Sequence, residues 1–119
     1  MAKLKIYSYD KCSTCRKALK FLDSRGVEYA TVDITERPPA VSELKSALAS
    51  YDGEIKKLFN TSGVQYRELG VSEKLKGMSE AEALKLLAGN GRLVKRPFVL
   101  TAERGLVGFD ETLWKKTFR

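Results

Sequence analysis

The chain's only two cysteines, Cys12 and Cys15, stand two residues apart in YDKCSTCRKALKFL, residues 9–22, where the apolar pattern turns helical. A cysteine at a helix start meets unpaired backbone N–H groups and the positive end of the macrodipole, and both stabilise a thiolate over a thiol. Cys12 is therefore expected to attack, and Cys15, one turn on and more buried, to resolve the mixed disulfide that results. The same spacing brings the two sulfurs within reach of an intramolecular disulfide. Lys11, Arg16 and Lys17 add positive charge that favours the thiolate. Lys11, just before the pair, and Ser13 and Thr14, between the thiols, are candidate substrate-binding residues.

Other uses of two thiols remain open at this level. A structural zinc normally takes four protein ligands, so two thiols without histidine would need a second copy or carboxylates to complete the shell. Inert core packing suits Cys15, on the apolar stripe, better than Cys12 among polar neighbours. A phosphatase-type loop is disfavoured, because Ala18 rather than an arginine follows Cys12 by six residues. The chain has no histidine, which excludes a Ser-His-Asp triad, a Cys-His pair and a histidine-rich metal centre. Thiols, hydroxyls, carboxylates, Lys and Arg are left to do any chemistry, and neither a metal nor a bound cofactor is expected.

The remaining composition bounds the scaffold. With 119 residues, 43% of them hydrophobic, the chain can bury one core but not two. No run of 18 apolar residues occurs, and the opening MAKLKIYSYD alternates charged and apolar residues, so a cytoplasmic protein with no membrane association is expected. Net charge is +7, from 22 Lys and Arg against 15 Asp and Glu, spread over several helix faces. Such a surface favours an oxyanion, glutathione or an acidic protein as partner. Direct nucleic-acid binding is not expected, because no aromatic platform or known motif accompanies the charge.

Strand and helix signals alternate along the chain. Leu4, Ile6 and Ser8 alternate with Lys5, Tyr7 and Tyr9, predicting a strand over Lys3 to Tyr9. Cys15, Ala18, Leu19 and Leu22 then predict a helix over Ser13 to Arg25, closed by Gly26, and a second strand covers Val27 to Ile34. Pro38 and Pro39 open a helical middle. Val41, Leu44, Leu48 and Tyr51 share a helix face, Asp52-Gly53 breaks it, and a short helix is predicted over Glu54 to Phe59. After the turn NTSG (60–63), Ser79 and Glu82 have capping-box spacing ahead of another helix that Gly89-Asn90-Gly91 ends. Phe98 to Thr101 and Leu106 to Phe109 are short strands around the turn Ala102-Glu103-Arg104-Gly105, and Asp110 caps a last helix with Leu113 and Trp114.

The order predicts a single thioredoxin-like α/β domain, a mixed four-stranded sheet assembled from βαβ (1–35), a helical insertion (36–92) and ββα (93–119). Such a fold sets a cis-proline beside the active-site cysteine at the entry to its third strand, which here is Arg96-Pro97 in VKRPFVL. In that setting Pro97 is expected to be cis and to lie in the substrate site, and Arg96 to aim its guanidinium at Cys12, pairing with the thiolate or holding an oxyanion or carboxylate. An ordinary surface arginine before a strand-opening proline is the alternative.

Together, YDKCSTCRKALKFL, LFNTSGVQYREL, MSEAEALKLLAGNGRLVKRPFVL and GLVGFDE resemble the bacterial arsenate reductase-like family over nearly the whole chain. That family includes glutathione-coupled arsenate reductases and the RNA polymerase-binding regulator Spx. The resemblance implies a catalytic thiol at Cys12 and an anion-facing arginine at Arg96. Of the three arginines the arsenate enzymes use, only Arg96 has a match; Asn60 stands at the second position and the third falls near Gly108. Arsenate is therefore expected to be a poor substrate, with Asn60 facing the site and Arg67 standing in as anion ligand or serving a structural ion pair. The family implies a thiol-disulfide oxidoreductase drawing electrons from glutathione, glutaredoxin or thioredoxin. The alternative is an Spx-like redox sensor binding the RNA polymerase α subunit near Asp52-Gly53. A monomer is expected.

Overall fold

The computed structural model describes residues 4–9, 12–61, 63–101 and 104–118. The predicted strand start at Lys3, the candidate Lys11 and turn residues Ala102 and Glu103 lie outside them.

Alternation along the first strand, β1 (Leu4–Ser8), sends Leu4 and Ile6 to one face and Tyr7 to the other. Helix α1 (Ser13–Ser24) follows, burying Cys15, Ala18 and Leu22 before Gly26 turns the chain at φ +67°. Strand β2 (Tyr29–Asp33) pairs parallel with β1, Leu4 opposite Tyr29 and Ser8 opposite Asp33. It starts later than Val27 because that residue's N–H is already used, donating to the Leu22 carbonyl of the helix end at 3.1 Å. Strands β3 (Phe98–Leu100) and β4 (Gly105–Val107) complete a sheet of order β2-β1-β3-β4, with β3 antiparallel to both β1 and β4. The β3–β4 pairing continues one step past Val107, the Gly108 N–H donating to the Pro97 carbonyl at 2.9 Å, and the positive φ of Gly108 (+71°) then turns the chain away. This mixed four-stranded sheet with flanking helices is the α/β architecture that the element order predicts.

Between β2 and β3 the chain forms α2 (Val41–Ser50), α3 (Val64–Glu68), α4 (Val71–Leu75) and α5 (Glu80–Gly89), with 3-10 turns at Ile55–Leu58 and Gly91–Leu93. The break after α2 is where two consecutive residues, Asp52 and Gly53, take positive φ. The predicted helix over Glu54 to Phe59 is only the 3-10 turn, because Phe59 leaves it to form an antiparallel bridge with Val94. At α5 the capping box is complete: Ser79 Oγ accepts from the Glu82 N–H, and Glu82 accepts from the Ser79 N–H. The last helix, α6 (Glu111–Thr117), starts where Asp110 accepts from the Leu113 N–H at 3.2 Å.

Both faces of the sheet are covered. Leu4, Ile6, Val99 and Leu106 pack with Ala18 and Leu22 of α1 and with Trp114 and Phe118. On the opposite face Tyr7, Phe98 and Val107 pack with Leu44 and Leu48 of α2 and Leu84 and Leu87 of α5. Glu43, in the first turn of α2, ties that helix to the sheet by accepting from the Tyr7 hydroxyl (2.7 Å), Lys5 Nζ (3.2 Å) and the Ala40 N–H (2.9 Å). Among the described residues no helix is long and apolar enough to cross a membrane.

Candidate functional site

The helix start that the two-thiol spacing predicts is built around the first sulfur. Cys12 occupies the N-cap of α1 in an extended conformation, and its Sγ accepts from the Cys15 N–H at 3.2 Å. Its own N–H donates to the Tyr9 carbonyl at 3.0 Å. Cys12 is half-buried, whereas Cys15 is 1% exposed. Burial pushes the Cys15 thiol up to about 12, and the neighbouring Cys12 sulfur adds to the rise; a backbone hydrogen bond at Tyr9 and the charge of Arg96 pull the other way. Cys15 is thus a protonated thiol at neutral pH, one helical turn on from the half-buried Cys12.

Arg96 enters from the loop before β3. The Arg96-Pro97 peptide is cis, and the guanidinium lies over the Tyr9 ring, Cζ 5.1 Å from its centroid. Cys12, Ser13, Thr14, Asn60 and Arg96 all line one cavity of about 420 Å³, completed by Tyr9, Lys95, Gly108 and Phe109. An adjoining cavity of about 350 Å³ shares Tyr9, Asn60 and Arg96 and adds Arg92, Gln65 and Glu68. Asn60 reaches both because its N–H is anchored to the Leu93 carbonyl at 2.7 Å. Pro97 is buried and lines neither cavity; it acts on the site through its carbonyl, which holds the Gly108 N–H. Arg67 is not brought to Cys12: it is exposed on α3 and absent from the lining of both cavities.

Lys95, Tyr9 and Phe109 line the Cys12 cavity without having been singled out from the sequence. Tyr9 stands three residues before Cys12, at the end of the strand that the alternation predicts and one residue past β1. Lys95 had no readable signal, since neighbours in an extended stretch usually point to opposite sides. Among the described residues, no group of three Cys, Asp or Glu side chains is placed to hold a metal ion.

Known proteins give this geometry its setting. A family model described as the ArsC family matches residues 7–117. Bacillus subtilis YusI is 46% identical over 115 residues, covering 97% of this chain and 98% of its own. An arsenate reductase of Neisseria meningitidis is 31% identical over 113 residues, 91% of this chain and 92% of its own. The global transcriptional regulator Spx 2 of Bacillus anthracis is 26% identical over 106 residues, 89% and 79% respectively. Among solved structures, an ArsC family related protein from Bacteroides fragilis matches at a TM-score of 0.88 and 46% identity, over 96% of both chains.

Proposed function

The chain belongs to the ArsC family, and on that premise we propose that it is a thiol-disulfide oxidoreductase with Cys12 as nucleophile and Cys15 as resolving thiol. The Cys12 thiolate attacks one sulfur of a substrate disulfide, forming a mixed disulfide and expelling the other sulfur as a thiolate. Cys15 then gives up its proton and attacks the Cys12 sulfur, releasing the second substrate thiolate and leaving a Cys12–Cys15 disulfide. Two electrons pass from the protein dithiol to the substrate, and glutathione, glutaredoxin or thioredoxin returns them. Arg96, with Ser13, Thr14 and Asn60 around it, holds the substrate's polar groups beside the attacked sulfur. The cytoplasm, where thiols are kept reduced, suits this cycle.

The observation that carries this reading is the contrast between the thiols: Cys12 opens onto a cavity at a helix start, while Cys15 beneath it is buried and protonated. Incubating the Cys15→Ser chain with a low-molecular-weight disulfide should accumulate a mixed disulfide on Cys12, seen as an adduct in intact-mass spectra. A stable adduct formed instead by Cys12→Ser on Cys15 would reverse the roles.

Arsenate is disfavoured as the substrate, because a single arginine lines the Cys12 cavity among the described residues where the resemblance implies three. Efficient glutathione-coupled arsenate reduction by the purified protein would overturn that. One observation favours a second reading, a redox-sensing regulator that binds the RNA polymerase α subunit: the Asp52-Gly53 turn, near which the resemblance sets that contact, is exposed. Capture of the α-subunit carboxyl-terminal domain by one redox form and not the other would support it.

A further inference from the structure

Lys95 lines three cavities: the Cys12 cavity, a cavity of about 280 Å³ toward Tyr51 and Asp110, and one of about 340 Å³ toward Lys56 and Lys57. Its backbone is fixed, the N–H donating to the Leu58 carbonyl at 2.8 Å next to the Phe59–Val94 bridge. The stem is placed by Gly108: a Cβ built on that glycine would sit 2.9 Å from Lys95 Cε and 3.6 Å from Cδ, so the lysine lies across the space a side chain would fill. Glycine at 108 leaves the room that the lysine stem occupies.

Among the described residues Lys95 forms no ion pair, and none of those lining the Cys12 cavity is a carboxylate. Of the described acids that line the other two cavities, Asp110 accepts from the Leu113 N–H at 3.2 Å and Glu54 pairs with Lys57 at 2.9 Å.

We infer that Lys95 is a second anion-holding residue of the Cys12 cavity, paired across it with Arg96, and that it makes the site select disulfides carrying a negative charge beside the attacked sulfur. This rests on the assignment of Cys12 as the attacking thiol. Arg96 supplies a planar, directional donor and Lys95 a mobile point charge, so together they accommodate a carboxylate whose position varies between substrates. Lys95 acts on capture of the substrate, and its loss should raise KM for an anionic disulfide without lowering kcat.

The test uses two probe disulfides on the reduced full chain, dithiobis(nitrobenzoate), which carries carboxylates, and neutral dithiodipyridine. Each attack by Cys12 forms a mixed disulfide and expels one coloured aryl thiol. Lys95→Gln should slow the first phase with the anionic probe about five-fold and leave the neutral probe unchanged, and added salt should shrink the difference. Lys95→Arg should keep the anionic rate, and Lys85→Gln, on the exposed face of α5, should alter neither. Equal slowing of both probes in Lys95→Gln, or no change in either, would overturn the role of Lys95 alone. A Cys12→Ser chain that still reacts with both probes at the parent rate would instead remove the nucleophile assignment, and this inference with it.

Discussion

Cys15 is buried one helical turn on from Cys12, and that burial separates the chemistry of two thiols only three positions apart. In the reduced native chain at neutral pH, a small alkylating agent should therefore modify Cys12 and spare Cys15, and peptide mass spectrometry should find the second label only after unfolding. Burial also has a pH signature. The folded state holds the Cys15 proton up to about 12, whereas the unfolded chain releases it near 9. Between those values the unfolded state binds fewer protons than the folded state, so stability must fall as pH rises through that window. Cys15→Ala removes this term. Urea unfolding of reduced protein from pH 8 to 11 should accordingly show a shallower decline for Cys15→Ala than for the parent, and parallel declines would refute it. The thiol pair was legible because C-x-x-C at a helix start is a local pattern, and Arg96 because a proline fixes its place in the fold. Lys95 and Arg67 were not, since what separates them is tertiary: Gly108 opens space over which one lies, while α3 carries the other away.

At the scale of elements, the recoverable ones were those long enough to display a period or capped by a recognisable side chain. α1, α2 and α5 span ten residues or more, and Ser79 and Asp110 mark helix starts by type alone. α3 and α4 are five residues each, barely one turn, too short for apolar spacing to register and held by the packing of Tyr66 and Val71 instead. Gly91 read only as a helix stop; in the fold a Cβ there would overlap the Ile34 carbonyl oxygen, so the glycine is what lets the chain cross the end of β2. Gly91→Ala should cost roughly 2–4 kcal/mol, well beyond a surface glycine, because backbone rather than a flexible side chain must move. Glu43 offers a second test. Burial alone would raise its carboxyl, but the Ala40 N–H, the Tyr7 hydroxyl and Lys5 outweigh this and hold it below the usual range. A depressed carboxyl stabilises the fold above the unfolded value of about 4.3 and ceases to do so as pH falls through the lower folded one. Glu43→Gln should thus lose about 1–2 kcal/mol in urea unfolding at pH 7, and the loss should shrink as pH falls through the lowered range of the carboxyl.

For the whole molecule, the decisive fact is that the sheet is shared. Tyr7, Phe98 and Val107 belong to the same apolar cluster as Leu44, Leu84 and Leu87 of the middle segment, while Ile6, Val99 and Leu106, their neighbours along the strands, pack on the other face around Trp114. The helices of residues 36–92 cover one face of the sheet and have no separate core, so their folding and that of the βαβ and ββα parts should be a single event. The chain reports on both faces. Its one tryptophan, Trp114, is packed edge-on against Phe109, Phe118 and Phe21 on the α1–α6 side, whereas the far-ultraviolet helical signal is weighted toward α2 to α5. Leu84 is fully buried on the face away from Trp114. Leu84→Ala should remove about 3 kcal/mol, lowering the melting temperature by roughly 10 °C for a chain of this size. Tryptophan fluorescence and circular dichroism should fall together by that amount, since loss of the helical layer bares Tyr7 and Phe98 and the strands cannot keep Ile6 and Val99 in place on the other side. A variant whose dichroism melts early while Trp114 holds its parent transition would show instead that the insertion unfolds on its own and that the thiol-bearing half stands without it.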